Sequence, residues 1–266
     1  MAYSDPAPGQ TRGCGWRVVL LLVLGMLCAG VPAIAGATTP LEATAAVTPA
    51  ADDGNLEDRL AACASCHGKH GEGVAGSQYY PHLAGKPAGY LFAQLQAYRD
   101  GGRSNAQMDW LLRFVDDSYM HEIADFYAAQ PPRTRPADTA AARLTSAMRE
   151  TADRLVVHGD ASRDLPACAS CHGSRLTGLQ PGVPALVGLP ADYLIAQLNL
   201  WRTGARKARA PDCMAEIARA LSATEIRALA EWLAQQAHVD GEGPAAEGSF
   251  VPPRRCGSLA HVEALP

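Results

Sequence analysis

Two copies of one pentapeptide, Cys63-Ala64-Ser65-Cys66-His67 and Cys168-Ala169-Ser170-Cys171-His172, lie 105 residues apart, each inside a similar stretch of sequence. Residues three apart share a face of a helix, so both sulfurs of such a turn can address one edge of a macrocycle. Two thiols can then form thioethers to the vinyl groups of a haem while the next histidine offers its nitrogen to the iron. With 8 Cys and 8 His in 266 residues, one such motif arises by chance in roughly one such chain in a hundred. Two in duplicated contexts are beyond accident. A thioredoxin-like redox pair would want a βαβ pattern that is missing here. A four-cysteine zinc site would have to unite pairs 105 residues apart, and a plain disulfide framework leaves the repeated histidine unexplained.

The repeat extends well past the cysteines. Pro81-His82-Leu83-Ala84-Gly85-Lys86-Pro87-Ala88-Gly89-Tyr90-Leu91 is matched by Pro184-Ala185-Leu186-Val187-Gly188-Leu189-Pro190-Ala191-Asp192-Tyr193-Leu194. Gln94, Leu95, Arg99 and Gly101 recur as Gln197, Leu198, Arg202 and Gly204, and the closing segment from Ile123 to Gln130 is echoed from Leu229 to Gln236. Each copy reads as a helix through the cysteines, a middle helix opening near Pro87 or Pro190, and a closing helix. Tyr90, Leu91, Gln94, Leu95 and Tyr98, like Tyr193, Leu194, Gln197, Leu198 and Trp201, follow the spacing of a buried stripe. The expected architecture is all-α: two tandem small helical domains at 52–132 and 140–238, each wrapped around a covalently bound haem. A Pro-rich linker at 133–139 joins them, and a Pro/Gly-rich tail follows at 239–266. Small helical units cannot bury a large protein-only core, so the haem is expected to supply much of each interior.

At the N-terminus Arg17 precedes an apolar run from Val18 to Ala29, and Ala33-Ile34-Ala35 offers a cleavage signature. Residues 1–37 read as a signal peptide and leader, and 38–51 as a flexible Ala/Thr/Pro segment. The implied destination is the periplasm. The run is short of the about 20 apolar residues of a membrane span, with an uncleaved anchor as the alternative. Cys14 and Cys28 leave with the signal, and Gly25-Met26-Leu27 fits a lipoprotein signature poorly. Cleavage removes Asp5, Arg12 and Arg17, so the mature chain is one charge more negative than its formal −4. That balance argues against nucleic-acid binding and suggests basic partners for any charged docking surface.

For the sixth position on each iron, the repeat points to Met108 and Met214, after the Gly/Arg-rich turn and 106 residues apart. Thioether sulfur is a soft ligand that raises the reduction potential relative to a second histidine. Gap-filling in the core is the competing role for methionine. Met120 is the local rival, but it falls in the closing helix and has no methionine counterpart. His70, His82, His121, His158, His238 and His261 are unduplicated and read as surface or structural residues, with His70 and His82 near the first site. A backbone carbonyl at Pro81 or Pro184 is placed to accept the other N–H of the proximal histidine, which fixes its tautomer and raises its basicity.

Over roughly residues 52–238 the chain resembles the dihaem cytochrome c4 family, two fused class I cytochrome c domains. The resemblance rests on the Cys-Ala-Ser-Cys-His-Gly turns, the Pro-x-Leu-x-Gly loops, the Tyr-Leu-x-x-Gln-Leu helices, the Gly-x-Arg turns and the late methionines. It implies two haems c held through Cys63, Cys66, Cys168 and Cys171, with His67 and Met108 on one iron and His172 and Met214 on the other. The implied role is a periplasmic electron carrier rather than an enzyme. It would shuttle single electrons between respiratory partners, such as a bc1-type complex or a periplasmic dehydrogenase, and a terminal oxidase or reductase, touching membranes only through partners. The alternative is the dihaem subunit of a dehydrogenase such as flavocytochrome sulfide dehydrogenase. Two departures stand out. Val115-Asp116-Asp117-Ser118 replaces a usual Leu-Ser-Asp helix start, and Cys213 beside Met214 has Cys256 in the tail as a possible disulfide partner, given an oxidising compartment and an even count.

Overall fold

The computed structural model describes residues 55–74, 77–132, 144–237 and 241–259. The signal and leader, the segment 38–51, the connection 133–139, His238 and His261 lie outside the described residues. The first half contains α1 (Leu56–Arg59), α2 (Ala61–His67), α3 (Ala88–Arg99), α4 (Ala106–Leu112) and α5 (Asp117–Ala128). The second contains α6 (Ser146–Val157), α7 (Ala169–His172), α8 (Ala191–Thr203), α9 (Cys213–Ala220) and α10 (Ala223–Ala234). Only isolated bridges, and no strands, occur among the described residues.

Local chemistry sets these boundaries in matching ways. The middle helices α3 and α8 begin directly after Pro87 and Pro190, whose missing N–H costs nothing where a helix has no partner for it. Asn105 Oδ1 caps α4, accepting from the N–H groups of Gln107 (3.1 Å) and Met108 (3.2 Å). Asp212 Oδ1 caps α9, accepting from Ala215 N–H at 3.0 Å. Asp116 caps α5 through Tyr119 N–H, and Ser222 with Glu225 forms a reciprocal capping box on α10.

Helix α3 packs on α4 and α5 as α8 packs on α9 and α10, and α6 covers α10. Leu60, Leu91, Ile123, Ala124 and Tyr127 form the first core. The second is larger, built around Leu155, Leu194, Ile226, Leu229 and Leu233. Of the residues striped along α3 only Leu91 is buried by its own half, and along α8 only Tyr193 and Leu194 are buried. Tyr90, Gln94, Gln197, Leu198 and Trp201 of these stripes line a cavity, while Leu95 packs partly buried on the first core. The opening helices also differ: α1 runs into α2 through Leu60, whereas a loop containing the bridge between Asp160 and Leu165 separates α6 from α7. The described residues form one compact unit. Backbone bonds join its halves, with Tyr90 N–H donating to Pro181 O at 3.1 Å and Lys207 N–H to Gly102 O at 2.7 Å.

The start of α10 carries a pH-dependent contribution. Arg163 grips Glu225 through two nitrogens, at 2.8 and 3.1 Å, and together with Ser222 holds its carboxyl down at about 2 against an ordinary 4.5. A depressed carboxyl stabilises the fold above its unfolded value, and that stability is lost as pH falls through the folded value. Glu225→Gln is therefore expected to cost about 1 kcal/mol at neutral pH, after allowance for solvent screening. The cost should shrink as pH drops from 4.5 toward 2, read by thermal unfolding of both proteins across that window.

Candidate functional site

Each cysteine turn ends in the same way. The glycine after the histidine, Gly68 or Gly173, has φ +82°, a left-handed conformation that glycine adopts without strain. The chain therefore reverses at once and returns a proline loop beneath the ring. His67 Nδ1 lies 2.9 Å from Pro81 O, and His172 Nδ1 lies 2.8 Å from Pro184 O. An N–H donated from Nδ1 leaves Nε2 with its lone pair toward the site. Burial lowers both imidazole pKa values, favouring the neutral form that can bind a metal.

None of the four motif cysteines takes part in a disulfide. Burial raises Cys63 and Cys171 and pushes Cys168 up to about 11. That is the reverse of a reactive thiolate, whose pKa falls. No cluster of three or more His, Cys, Asp or Glu side chains suited to a metal ion occurs among the described residues.

In the second half Cys168, Cys171, His172 and Met214 line one predominantly apolar cavity, with about 1470 Å³ of empty space counting its open mouth. Met214 enters on the first turn of α9 and Met108 on the first turn of α4, both half-buried. Met120 is wholly buried in the first-half core. Among the unduplicated histidines, His70 and His158 are exposed and His121 stacks on Phe92 at 3.7 Å. His82 is buried, its Nε2 3.3 Å from Lys86 Nζ. Cys213 and Cys256 are joined in a disulfide.

Sequence reasoning assigned no role to the cations between the halves. Arg103 and Arg206, the arginines of the two Gly-x-Arg turns, are 8% and 3% exposed. Arg103 donates to Gln94 Oε1 and Gln197 Oε1, both at 2.9 Å. Arg206 donates to Gln197 Oε1 at 2.7 Å and to Gln94 Oε1 at 2.6 Å. Each glutamine oxygen thus accepts from an arginine of its own half and one of the other. Arg206 also stacks on the Trp201 ring at 3.6 Å, and Arg103 on that of Tyr98 at 4.5 Å. Lys86 is buried beside them, and desolvation lowers its pKa to about 8. No described carboxylate pairs with any of the three. The recurrence of glycine-x-arginine in both halves was the available signal.

A haem c fits this inventory. The cavity is apolar, two thiols and an imidazole share one wall, and a thioether lies on the same cavity. Lys86 and Arg206 also line it, and the indole Nε1 of Trp201 is buried without a partner. These donors would hold the carboxylates of the macrocycle, meeting charge and hydrogen-bond needs that the protein alone leaves open.

The Cytochrome c family matches residues 59–142. A thiosulfate dehydrogenase electron acceptor of Stutzerimonas stutzeri is 39% identical over 181 residues, 68% of this chain and 82% of the relative. Cytochrome c4 of Pseudomonas aeruginosa is 30% identical over 66% of this chain and 84% of its own. Among solved structures, reduced recombinant cytochrome c4 from Pseudomonas stutzeri superposes with a TM-score of 0.58 at 28% identity, over 69% of this chain and 97% of that one.

The crossed pairs make the two glutamines interdependent. Arg206→Ala should destabilise the protein by about 2–3 kcal/mol, because it leaves buried amide oxygens short of charged donors. Adding Gln197→Ala should cost less than the sum of the single changes, a coupling measured by a double-mutant denaturation cycle.

Proposed function

This chain belongs to the dihaem cytochrome c4 family, and on that premise we propose that it is a periplasmic two-haem carrier that takes electrons from a thiosulfate dehydrogenase and passes them to a terminal oxidase or reductase. Covalent haem c and electron transfer come with the family. The choice of donor follows the 39% identity to a thiosulfate dehydrogenase electron acceptor. The observation that carries the reading is the gathering of Cys168, Cys171, His172 and Met214 on one apolar cavity, with the same residue types repeated at Cys63, Cys66, His67 and Met108.

When bound, haem iron supplies a one-electron couple between Fe(III) and Fe(II). The protein would hold each group through His67 and Met108 or His172 and Met214, and would keep the surroundings fixed as one unit of charge is exchanged. The Pro81 and Pro184 carbonyls fix the imidazole tautomers and increase their basicity. Met108 and Met214 would close the sixth positions, leaving no vacancy for a substrate. Lys86, Arg103 and Arg206 favour the reduced state of whatever lies between them, because a fixed cation stabilises a site that gains an electron.

The first test is an oxidised-minus-reduced visible spectrum of matured protein, with pyridine haemochrome quantification. Two haems per chain and a far-red thioether-to-iron band are expected; one haem or a high-spin spectrum would reject the assignment. Met214→Ala should abolish the far-red band of one haem, open it to carbon monoxide and lower one of two potentials. In a reaction containing thiosulfate and a thiosulfate dehydrogenase, the oxidised protein should be reduced at a rate proportional to dehydrogenase concentration. Absence of that reduction, with cytochrome c4-type spectra intact, would retain the carrier and remove the donor.

A further inference from the structure

The two halves share a backbone device but differ in what covers it. After each cysteine turn, a glycine N–H returns to the histidine carbonyl: Gly73 to His67 at 2.7 Å and Gly178 to His172 at 2.9 Å. The next residue then closes a loop, with Val74 N–H donating to Tyr80 O at 3.1 Å and Leu179 N–H to Val183 O at 3.0 Å. The backbone is matched but the exposure is opposite. Val74 and Tyr80 are 50% and 40% exposed, whereas Leu179 and Val183 are 0% and 7% exposed.

The cover on the second loop is the tail, residues 241–259. Ala245 docks along Leu179, its carbonyl accepting from Gln180 N–H and its N–H donating to Gly178 O, both at 2.9 Å. Leu179, Val183 and Leu259 then cluster with Ala245, Phe250 and Cys256. Ser258 O sits 2.8 Å from where a Cβ on Gly182 would be, so only glycine lets the tail lie this close.

The same tail reaches both walls of the second cavity. Its Cys256 is bonded to Cys213, the residue before Met214 on α9. Arg254 pairs with Glu216 on α9 and with Asp164 ahead of the cysteine turn, each at 3.0 Å. Cys256, Ser258 and Leu259 line the cavity alongside Cys168, His172 and Met214. In the first half Gln107 occupies the position before Met108, and Tyr79, Trp110 and Phe114 are exposed.

We propose that the disulfide-anchored tail is a strap that holds α9, and with it Met214, against the second pocket and closes the edge left open in the first half. Partners consequently exchange electrons with the protein through the first half. The inference rests on the His/Met reading above. Physically, α9 is a short helix whose register over the pocket must be set by its neighbours. A covalent link beside the methionine, with an arginine joining the two walls, supplies a constraint that the first half lacks. Cys213, Cys256 and Arg254 are positioning residues for that ligand.

The test compares the full chain with three variants: Cys213→Ser/Cys256→Ser, Arg254→Ala, and a chain ending at Asp240. The readouts are the far-red band, carbon monoxide binding, a redox titration, and stopped-flow oxidation by hexacyanoferrate. The parent should show two ligated haems and one oxidation phase slower than the other. The double-serine and shortened chains should lose one far-red band, bind carbon monoxide at one haem, show one lowered potential, and speed the slow phase toward the fast one. Arg254→Ala keeps the disulfide and should move the same signals in the same direction by less, which decides the matter if the other variants fail to mature. Two intact bands, two unchanged potentials and an unaltered slow phase in every variant that matures would overturn the strap. A parent lacking two His/Met haems would instead overturn the reading beneath it.

Discussion

Lys86, Arg103 and Arg206 place three cations out of water between the halves, with no ion pair to them from a carboxylate among the described residues. Withdrawing an ion from solvent costs several kcal/mol even after relaxation. Here the cost is met in part by the oxygens of Gln94 and Gln197, each shared between two guanidinium groups, and by the faces of Tyr98 and Trp201. Because every shared oxygen takes one bond from each half, separating the halves would break bonds in both at once. The carboxylates of a haem held in the adjoining cavity would complete the account. The same residues that join the halves thereby prepare them for a cofactor carrying carboxylates.

The symmetry around this junction is close but incomplete. Both halves use proline to start the middle helix, an Asn or Asp cap to start the methionine helix, and a left-handed glycine to turn the chain under the histidine. Divergence is concentrated in the opening helices and in the tail. The second half gains a separate opening helix, whose Ala152, Leu155 and Val156 enlarge its core, and a docked tail that forms a cluster of its own with Leu179 and Val183. The first keeps a rim of exposed aromatics. A surface of that kind costs solubility unless something covers it during function.

Much of this was legible in the residues because it depends on local chemistry repeated twice. The cysteine turns, the helix starts at Pro87 and Pro190, and the closing helices are set by spacing, proline and capping groups within a few positions. The roles of Arg103 and Arg206 were hidden in recognised Gly-x-Arg turns. Their partners Gln197 and Gln94 lie 94 and 112 residues away, and only the packed halves bring them together. The stripe along α3 read as core or haem wall, and Leu91 is buried while Tyr90 and Gln94 line the second cavity, since periodicity reveals that a face is covered without revealing by what. In the tail only the possible pairing of Cys213 with Cys256 was legible, from the even cysteine count, and the rest was hidden for a different reason. Its Pro- and Gly-rich composition has no period, and it is held by a sulfur bond, an arginine clasp and main-chain bonds at Ala245 and Gly257.

A carrier of single electrons is useful only if its charge can change while its structure does not. Solvent reorganises around a new charge and so adds to the cost of each transfer, whereas dipoles already fixed by packing do not have to move. The junction has that character. Planar guanidinium groups are held by stacking on one side and by shared amide oxygens at their edges, so neither can swing without breaking bonds to both halves. Lys86, Tyr90 and Gln94 of the first half meanwhile line the second cavity. The second site is therefore completed by its neighbour, and any difference between the two sites acts through one rigid, shared wall rather than across a flexible tether.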